Sequence, residues 1–435
     1  MKERVENLNI GIIGPLDSCK KISEVIKKYF PKLTAKIYAV SKIEKAYLEI
    51  EKSEKECEGL VFTGVGVYSK IIEKLDPSVP YVYTPFLTSS IMKSLWELKE
   101  KFPSCKNISI DIVKKSEVED ILEELNLNDI NVQAMDYNHL YTEQDYVDFH
   151  VTMHEKEEVS VSIIGLGWVY EEVKKKGYPA IRLYSTKSAI KSTINDLLYK
   201  IKEAEAKEAT MVVQLLSVKN QENISQYKAL EIRTLIESNL VGYLKEIQGS
   251  IFNLESNQYI IFSTRGAIEN TENLVKLKNT LDYLEKNNIK IFVGTGLGRT
   301  AYESEINARK ALQIAAKEEK SCIFKVDGNK IEGPLLEEEE LIYNLTMDNS
   351  EVEEMAELIN LNPLYIRKIN AIKEKYSKDT FTSEELAQYL NISIRSANRI
   401  IKKILDNNCG EVVGLESNNS LGRPKKIIKI NFDKN

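Results

Sequence analysis

The sequence predicts an α/β multidomain protein. It reads as two parallel α/β lobes related by duplication, an α+β domain in the middle, and a basic C-terminal module of helices closed by a β-hairpin. Three observations carry this. In residues 8–205, short apolar runs alternate with amphipathic stretches, the pattern of βαβ units. Two stretches of that region lie on each other, VFTGVGVYSKIIEKLDPSVPYVYTPFLTSSI (61–91) and SIIGLGWVYEEVKKKGYPAIRLYSTKSAI (162–190). Each gives strand, Gly-x-Gly, helix, Pro-led strand and a Ser/Thr-rich helix start, an internal repeat. Charge is also segregated. Residues 363–435 hold 14 Lys+Arg against 8 Asp+Glu, a net +6; the whole chain holds 60 against 66, which leaves 46 against 58, or −12, for the first 362 residues.

Length and composition bound the rest. At 435 residues the chain exceeds one core, and roughly three domains is the prior. Hydrophobic content of 43% and charged content of 29% are ordinary for a globular protein. No apolar run approaches the ~18 residues of a membrane span, so no membrane partner is expected. The start MKERVENLNIGIIGP reads as a first strand and its turn, not as a signal peptide. Cys19, Cys57, Cys105, Cys322 and Cys409 are scattered with no C-x-x-C pair. That points to a cytoplasmic location and away from a zinc site, a disulfide scaffold or any metal. The abundance of Lys, Ile, Asn and Glu fits a bacterial chain from an AT-rich genome. No cofactor is expected.

The first lobe (8–103) offers strands at LNIGIIG (8–14), AKIYAV (35–40), GLVFTG (59–64) and PYVYTP (80–85), with helices over 19–30, 42–55 and 67–75. The second (107–205) repeats the plan with NISIDIV, INVQAMDY, VSVSIIG (159–165) and PAIRLYS (179–185), and helices over 116–125, 142–157 and 168–176. Two such lobes imply a cleft, with ligands held at the C-terminal ends of the strands near helix N-termini. The candidate ligand-binding residues there are Asp17, Ser18, Thr63, Gly64, Gly66, Thr84, Ser89, Gly165, Gly167, Trp168, Ser185 and Thr186. Hydroxyls and free backbone N–H groups suit a small polar or anionic effector. The alternative is that these glycines only make tight turns, and neither G-x-G completes a dinucleotide fingerprint. The lobe pattern resembles the N-terminal sensor domain of propionate-catabolism activators and, more distantly, the periplasmic-binding-protein fold. The resemblance covers about residues 8–205 and implies a cleft that takes a small effector. His150 and His154 lie four apart on a predicted helix; with no third ligand and no H-E-x-x-H, they read as a solvated or helix-packing pair rather than a metal site.

After the charged helical connector KIKEAEAKEA (200–209), residues 209–330 read β-α-β-β-α-β-α-β. The strands are TMVVQLLSV, a hairpin through FNLESNQYI, IKIFVGTGLG (289–298) and SCIFKV; the long helices lie over 225–247 and 267–287. This resembles the GGDEF-type fold of nucleotidyl cyclases. VGTGLGRTAYESEINARKAL is similar to the degenerate copies within bacterial regulators of the purine-catabolism and sugar-diacid type. Active cyclases need acidic side chains to hold two cations against the triphosphate. Here the first strand has no carboxylate before Glu222, the hairpin turn offers only Glu255, and Gly-Gly-Asp-Glu is missing. The expected domain is catalytically silent. It binds a nucleotide, binds another ligand, or dimerises and relays a signal. Gly294, Gly296 and Gly298 lack the Lys-Ser/Thr of a P-loop and read as a tight turn.

Residues 331–362 are acidic, with the run Glu337–Glu340, and read as a linker with a short helix. Beyond Pro363 comes LYIRKINAIKEKY (364–376), amphipathic at Leu364, Ile366, Ile369, Ile372 and Tyr376. TSEELAQYL (382–390) is capped by Thr382 or Ser383. A short turn leads to IRSANRIIKKILDNN (394–408), with an apolar stripe of Ile394, Ala397, Ile400, Ile401 and Ile404. Ser393, Arg395, Ser396, Asn398, Arg399 and Lys402 fall on the other side. Then GEVVGLES and GRPKKIIKINF form a hairpin whose loop is 416–426, offering Arg423, Lys425 and Lys426 to phosphates or the minor groove. Helix, turn, helix, hairpin and basic loop in this order resemble bacterial winged helix-turn-helix domains. In that fold the second helix reads the major groove, where Arg suits guanine and Asn adenine.

The sequence therefore reads as a transcriptional regulator, with operator DNA and a small-molecule effector as partners. A homodimer is expected, because one winged helix covers too little DNA for useful specificity. It is expected to be no enzyme; the competing reading is a nucleotidyl cyclase or nucleotide hydrolase built on the middle domain.

Overall fold

The computed structural model describes residues 7–219, 225–255, 257–337, 340–344, 350–390, 392–416 and 425–432. The chain is α/β, with two parallel sheets and one mixed sheet as its main layers, and divides into two compact units, Met1–Glu205 and Ala206–Asn435.

In the first unit one repeat runs β1 (Leu8–Gly14), α1 (Leu16–Tyr29), β2 (Leu33–Ala39), a 3-10 stretch (Ile43–Glu49) into α2 (Ile50–Glu56), β3 (Gly59–Phe62), α3 (Val65–Ile72), β4 (Tyr81–Tyr83) and α4 (Thr88–Lys101). The other runs β5 (Asn107–Asp111), α5 (Lys115–Glu124), β6 (Asn131–Met135), α6 (Glu143–Glu155), β7 (Val161–Ile164), α7 (Gly167–Lys175), β8 (Ala180–Arg182) and α8 (Lys187–Glu208). Both sheets are all parallel with the same order, β2-β1-β3-β4 and β6-β5-β7-β8. The central strands are mostly apolar because helices cover both faces of a parallel sheet; Ile10, Ile12, Leu60, Val61, Ile108, Ile110 and Ile163 are fully buried, with Ser109, Asp111 and Ser162 the buried polar exceptions in β5 and β7.

The repeats are not self-contained. Ile91, Leu95 and Leu98 of α4 pack with Ile108, Ile110 and Ile163 of the second sheet. Ile190, Ile194, Leu197 and Ile201 of α8 pack with Ile10, Ile12 and Val61 of the first. Each repeat thus lends its last helix to the other. A third core joins Ile13, Ile43, Phe62 and Val67 of one repeat to Ile112, Tyr146, Ile164 and Val169 of the other, so the two lobes are closed on each other.

The second unit begins with β9 (Met211–Val218), α9 (Gln226–Glu246), β10 (Ser250–Glu255), β11 (Gln258–Thr264), α10 (Arg265–Glu269), α11 (Thr271–Lys286), β12 (Ile291–Leu297), α12 (Ala301–Ala315) and β13 (Cys322–Asp327). Two further strands, β14 (Lys330–Gly333) and β15 (Leu341–Asn344), complete a seven-stranded sheet of order β10-β11-β9-β12-β13-β14-β15. Only β12 and β13 pair in parallel. Strand alternation divides its two faces: Val293 and Ile323 join the core with α9 and α11, while their neighbours Phe292 and Phe324 turn to the other side.

That other side receives the C-terminal module: α13 (Ser350–Leu358), α14 (Pro363–Tyr376), β16 (Thr380–Phe381), α15 (Ser383–Tyr389), α16 (Ile394–Asp406), β17 (Gly410–Glu416) and β18 (Lys425–Ile430). Ile366, Ile369, Ile372, Leu386, Ile401 and Ile428 share one core with Phe324 and Tyr343. The acidic stretch 331–362 is therefore more than a linker. β15 adds a strand within it, and Val352, Met355, Ala356 and Ile359 are buried behind exposed Glu353, Glu354 and Glu357. Glu338 and Glu339 of its acidic run lie outside the described residues.

Two glycines expected in a turn have a different role. Gly294 and Gly296 lie inside β12, where α12 crosses it backbone to backbone. A Cβ on Gly294 would fall 2.3 Å from the Ala308 carbonyl oxygen, and one on Gly296 2.1 Å from the Ala308 nitrogen. Neither makes a turn or a phosphate loop; they let the helix lie directly on the strand.

Candidate functional site

In the first unit, the C-terminal ends of β1, β3 and β7 turn sharply into α1, α3 and α7. Gly14 has φ +149, and a Cβ there would lie 1.9 Å from Thr63 Oγ1, so this turn needs glycine. The starts of α1, α3 and α7 converge on one small cavity of about 20 Å³, lined by Ser18, Thr63, Gly64, Gly66, Gly165, Gly167, Arg182 and Phe86 among others. A neighbouring space of about 10 Å³ adds Lys21, Thr84, Tyr184 and Ser185. Eight expected ligand residues are thus brought together: Ser18, Thr63, Gly64, Gly66, Thr84, Gly165, Gly167 and Ser185.

The other four stand apart from the lining. Asp17 is at the edge, accepting from Arg182 Nε at 3.2 Å. Ser89 and Thr186 meet each other, hydroxyl to hydroxyl at 3.2 Å, where α4 and α8 begin. Trp168 presents its ring to Lys42, whose Nζ lies 4.1 Å from the centroid.

Sequence reasoning missed the cations. Arg182 is 9% exposed and donates to the carbonyls of Ile164, Gly165 and Leu183 as well as to Ser18 Oγ at 3.2 Å. Its fork ties the β7 turn of one lobe to α1 of the other. The signal was present: an arginine interrupts the apolar run of a buried strand, and buried charge is retained only where it is paired. Lys21 is pushed down to about 8 by burial and then by Lys93, Arg182 and Lys187. Its ammonium lies 4.1 Å from the Tyr184 ring centroid, and the Arg182 guanidinium 4.9 Å from the same ring. Four cations with Asp17 opposing them, plus three helix N-termini, make the cleft electropositive.

The histidine pair belongs to a buried chain behind this cleft. His154 Nε2 is 2.9 Å from Ser162 Oγ, Ser162 Oγ is 2.8 Å from Ser109 Oγ, and Ser109 Oγ is 2.8 Å from His150 Nδ1. His150 is fully buried rather than solvated, and Asp111 beside it accepts the Gly165 N–H.

In the second unit, α15 starts on a capping box: Thr382 Oγ1 accepts the Glu385 N–H at 3.2 Å and Glu385 Oε2 accepts the Thr382 N–H at 2.9 Å. Ser393 caps α16, accepting the Ser396 N–H at 3.1 Å, and the two hydroxyls lie 2.9 Å apart. Both serines therefore hold the helix start. Ala397, Ile400, Ile401 and Ile404 are buried; Ile394, expected on that stripe, is 50% exposed because it sits at the first turn before the helix meets the core. Arg395, Asn398, Arg399 and Lys402 are all exposed and spaced i, i+3, i+4, i+7, one stripe on the solvent side. None of these three cations has an ion-pair partner among the described residues. β17 and β18 form the hairpin, and β18 also pairs with β16. Lys426 is exposed, whereas Lys425 pairs with Glu384 of α15 and so anchors the hairpin to the helices. Arg423 lies outside the described residues.

The sheet of this unit carries no carboxylate at its centre. Gln214 of β9 is fully buried, donating to Thr295 Oγ1 at 3.0 Å and accepting from Tyr243 Oη at 2.7 Å. No helix among the described residues is long and apolar enough to cross a membrane.

No family model matches the chain, and no curated protein matches it. Solved structures do. An NtrC family transcriptional regulator from Clostridium acetobutylicum aligns at 16% identity and TM-score 0.34, over 46% of this chain and 98% of its own. The ABC domain in complex with L-Trp from Streptococcus pneumonia aligns at 8% and 0.30, over 45% and 85%. A periplasmic binding ribose operon repressor protein from Lactobacillus acidophilus aligns at 14% and 0.25, over 45% and 90%. Each covers less than half of this chain at low identity, so the chemistry of both sites rests on the geometry above.

Proposed function

We propose that this protein is a transcription regulator that binds operator DNA through α16 and the β17–β18 hairpin, under the control of a small anionic molecule held in the N-terminal cleft. The observation that carries the reading is the stripe of Arg395, Asn398, Arg399 and Lys402. Four exposed polar side chains stand on one face of a helix that follows a short turn from α15 and is braced by a basic hairpin. Unpaired arginines cost little to place against phosphates, and a helix of 13 residues fits the major groove. The C-terminal module acts as a winged helix-turn-helix domain. The preceding seven-stranded sheet is a GGDEF-like domain without catalysis, which relays the signal or pairs two chains so that two half-sites are read together.

The anionic class of the effector follows from Arg182, Lys21 and the three helix N-termini around the cleft. Ligand can shift DNA affinity only as far as its affinity differs between the states of the protein. The deciding experiment is binding of the full chain to its own upstream DNA over a salt series, beside an Arg395→Ala/Arg399→Ala double variant. Tight, salt-sensitive binding that the double variant loses, with a salt slope reduced by about 2 for two lost phosphate contacts, upholds the reading. Equal binding by both proteins overturns it, as does robust turnover of GTP or ATP with Mg²⁺.

A further inference from the structure

The 3-10 stretch that follows β2 carries Ile43 and Glu44, and α6 of the second repeat opens on Glu143. These segments meet across the two lobes, beside the cleft wall that Ile43 itself forms. The Ile43 N–H donates to Glu143 Oε2 at 3.1 Å, and the Glu143 N–H donates to Glu44 Oε1 at 3.2 Å. Glu143 is 2% exposed. Each carboxyl is therefore held by one backbone donor, and each has a second oxygen, Glu143 Oε1 and Glu44 Oε2, that is buried and without a hydrogen-bond partner among the described residues. The Tyr137 hydroxyl is buried nearby, between Ser69 and Glu44.

Two ionised carboxylates in such contact repel each other and leave two acceptors unsatisfied, a cost that buried groups normally avoid by pairing or by taking up a proton. The surrounding charges do not bond the orphaned oxygens. Lys42 lies over the Trp168 ring, and its charge draws the Glu143 carboxyl down less than burial and Glu44 push it up. Lys70 of α3 pairs with Glu73 at 3.7 Å and donates to the His139 carbonyl. Asp145 of α6 is turned back onto Thr142 as part of the helix cap. Tyr146 bonds to the Asp136 carbonyl.

We propose that closure of the two lobes captures one proton between Glu44 and Glu143, so that the sensor closes more readily as pH falls. The proton sits on Glu143 Oε1 and is donated to Glu44 Oε2, which satisfies both orphaned oxygens with one bond. Burial and then Glu44 push the Glu143 carboxyl up to about 8, in line with this. The sign follows. In the open state Glu143 faces water and titrates in the ordinary carboxylate range, ~4.3. Between that value and about 8 the closed state holds one proton more than the open state. Closing therefore weakens by up to tenfold for each unit of pH rise, and the dependence ends above about 8. The consequence for gene control rests on the cleft being the effector site; the proton capture does not.

Hydrogen exchange of the full chain, read by mass spectrometry at pH 6 and pH 9 and corrected for intrinsic rates, tests this with neither effector nor DNA. The readout is the amides of Ile43 and Glu143, which make the bonds between lobes. Expected is at least a tenfold loss of protection at these amides in the wild type on going to pH 9. In Glu143→Gln, whose amide keeps the donor and has no proton to lose, protection stays constant. Equal pH behaviour of wild type and variant overturns the proposal. So does protection at pH 6 that EDTA abolishes and Ca²⁺ restores, since the captured charge is then a metal ion. Because DNA binding is not part of the readout, failure here and failure of the regulator reading remain distinguishable.

Discussion

Gly296 of β12 and Ala308 of α12 meet through their backbones, so closely that a methyl group on Gly296 would lie 2.1 Å from the Ala308 nitrogen. The helix rests on this strand with no side chain between them on the glycine side, and Ala308, Ala311 and Ala315 are fully buried along it.

Gly296→Ala forces α12 away from β12 along its whole length, because the obstacle is backbone and cannot rotate aside. The expected cost is at least about 2 kcal/mol, in the upper part of the overpacking range. Urea unfolding of the second unit reads it. Gly328→Ala, with open space around its Cβ but φ +58, is a control expected to cost less, through backbone strain alone.

The exchanged helices predict how the chain can be cut. Residues 1–205 carry both exchanged helices and are expected to fold. Residues 1–103 retain α4 without the sheet it covers, and lose α8 from Ile10, Ile12 and Val61. That fragment is expected to aggregate or remain unfolded. Circular dichroism and size-exclusion chromatography distinguish the two results.

Lys21 gives a pH signature. Its folded value, about 8, lies below the ordinary lysine value. Between the two, the unfolded chain binds the extra proton, so stability of the sensor unit rises with pH above about 8. Lys21→Met is expected to remove that rise. An anion in the cleft favours the charged lysine, so citrate used as a probe is expected to bind more tightly below pH 8 than above it. Thermal melts across pH 7–10 with and without citrate check both statements.

On α16, Asn398 and Lys402 are expected to separate by function. Asn398→Ala relaxes preference at one base pair, by about 1–3 kcal/mol, with little change in the salt slope. Lys402→Ala weakens binding evenly across sequences and lowers the slope by about 1. Neither residue is buried, so thermal stability of the chain should stay within about 0.5 kcal/mol of the parent. Binding to a set of single-base variants of the bound fragment, at two salt concentrations, measures this.

The duplicated lobes were legible because the repeat is written twice at the same spacing, and strand ends with G-x-G announce themselves locally. The ligand candidates at those ends mostly converge for the same reason: in a parallel sheet, the residue after a strand's last apolar position lies at the cleft whatever the helices do. Arg182 was legible only as an anomaly, since nothing local says that its fork reaches Ser18 and Asp17 of the other lobe. Glu143 looked like one more acid in a helical first turn until Glu44 was brought against it. Gly294 and Gly296 looked like turn residues because glycine serves both turns and close packing, and only the position of α12 separates the two.

What the sequence by itself determined is therefore the set of elements, their periodicity and the basic character of the C-terminal module, because hydrophobic period and charge are properties of neighbours in the chain. What the tertiary structure decided is which sheet each apolar helix face covers, which charges are buried together and which glycines touch backbone. An apolar stripe specifies that a helix must be covered and leaves open by what. α4 and α8 each fit either sheet by pattern, and only the three-dimensional path of the crossovers assigns each helix to the opposite lobe.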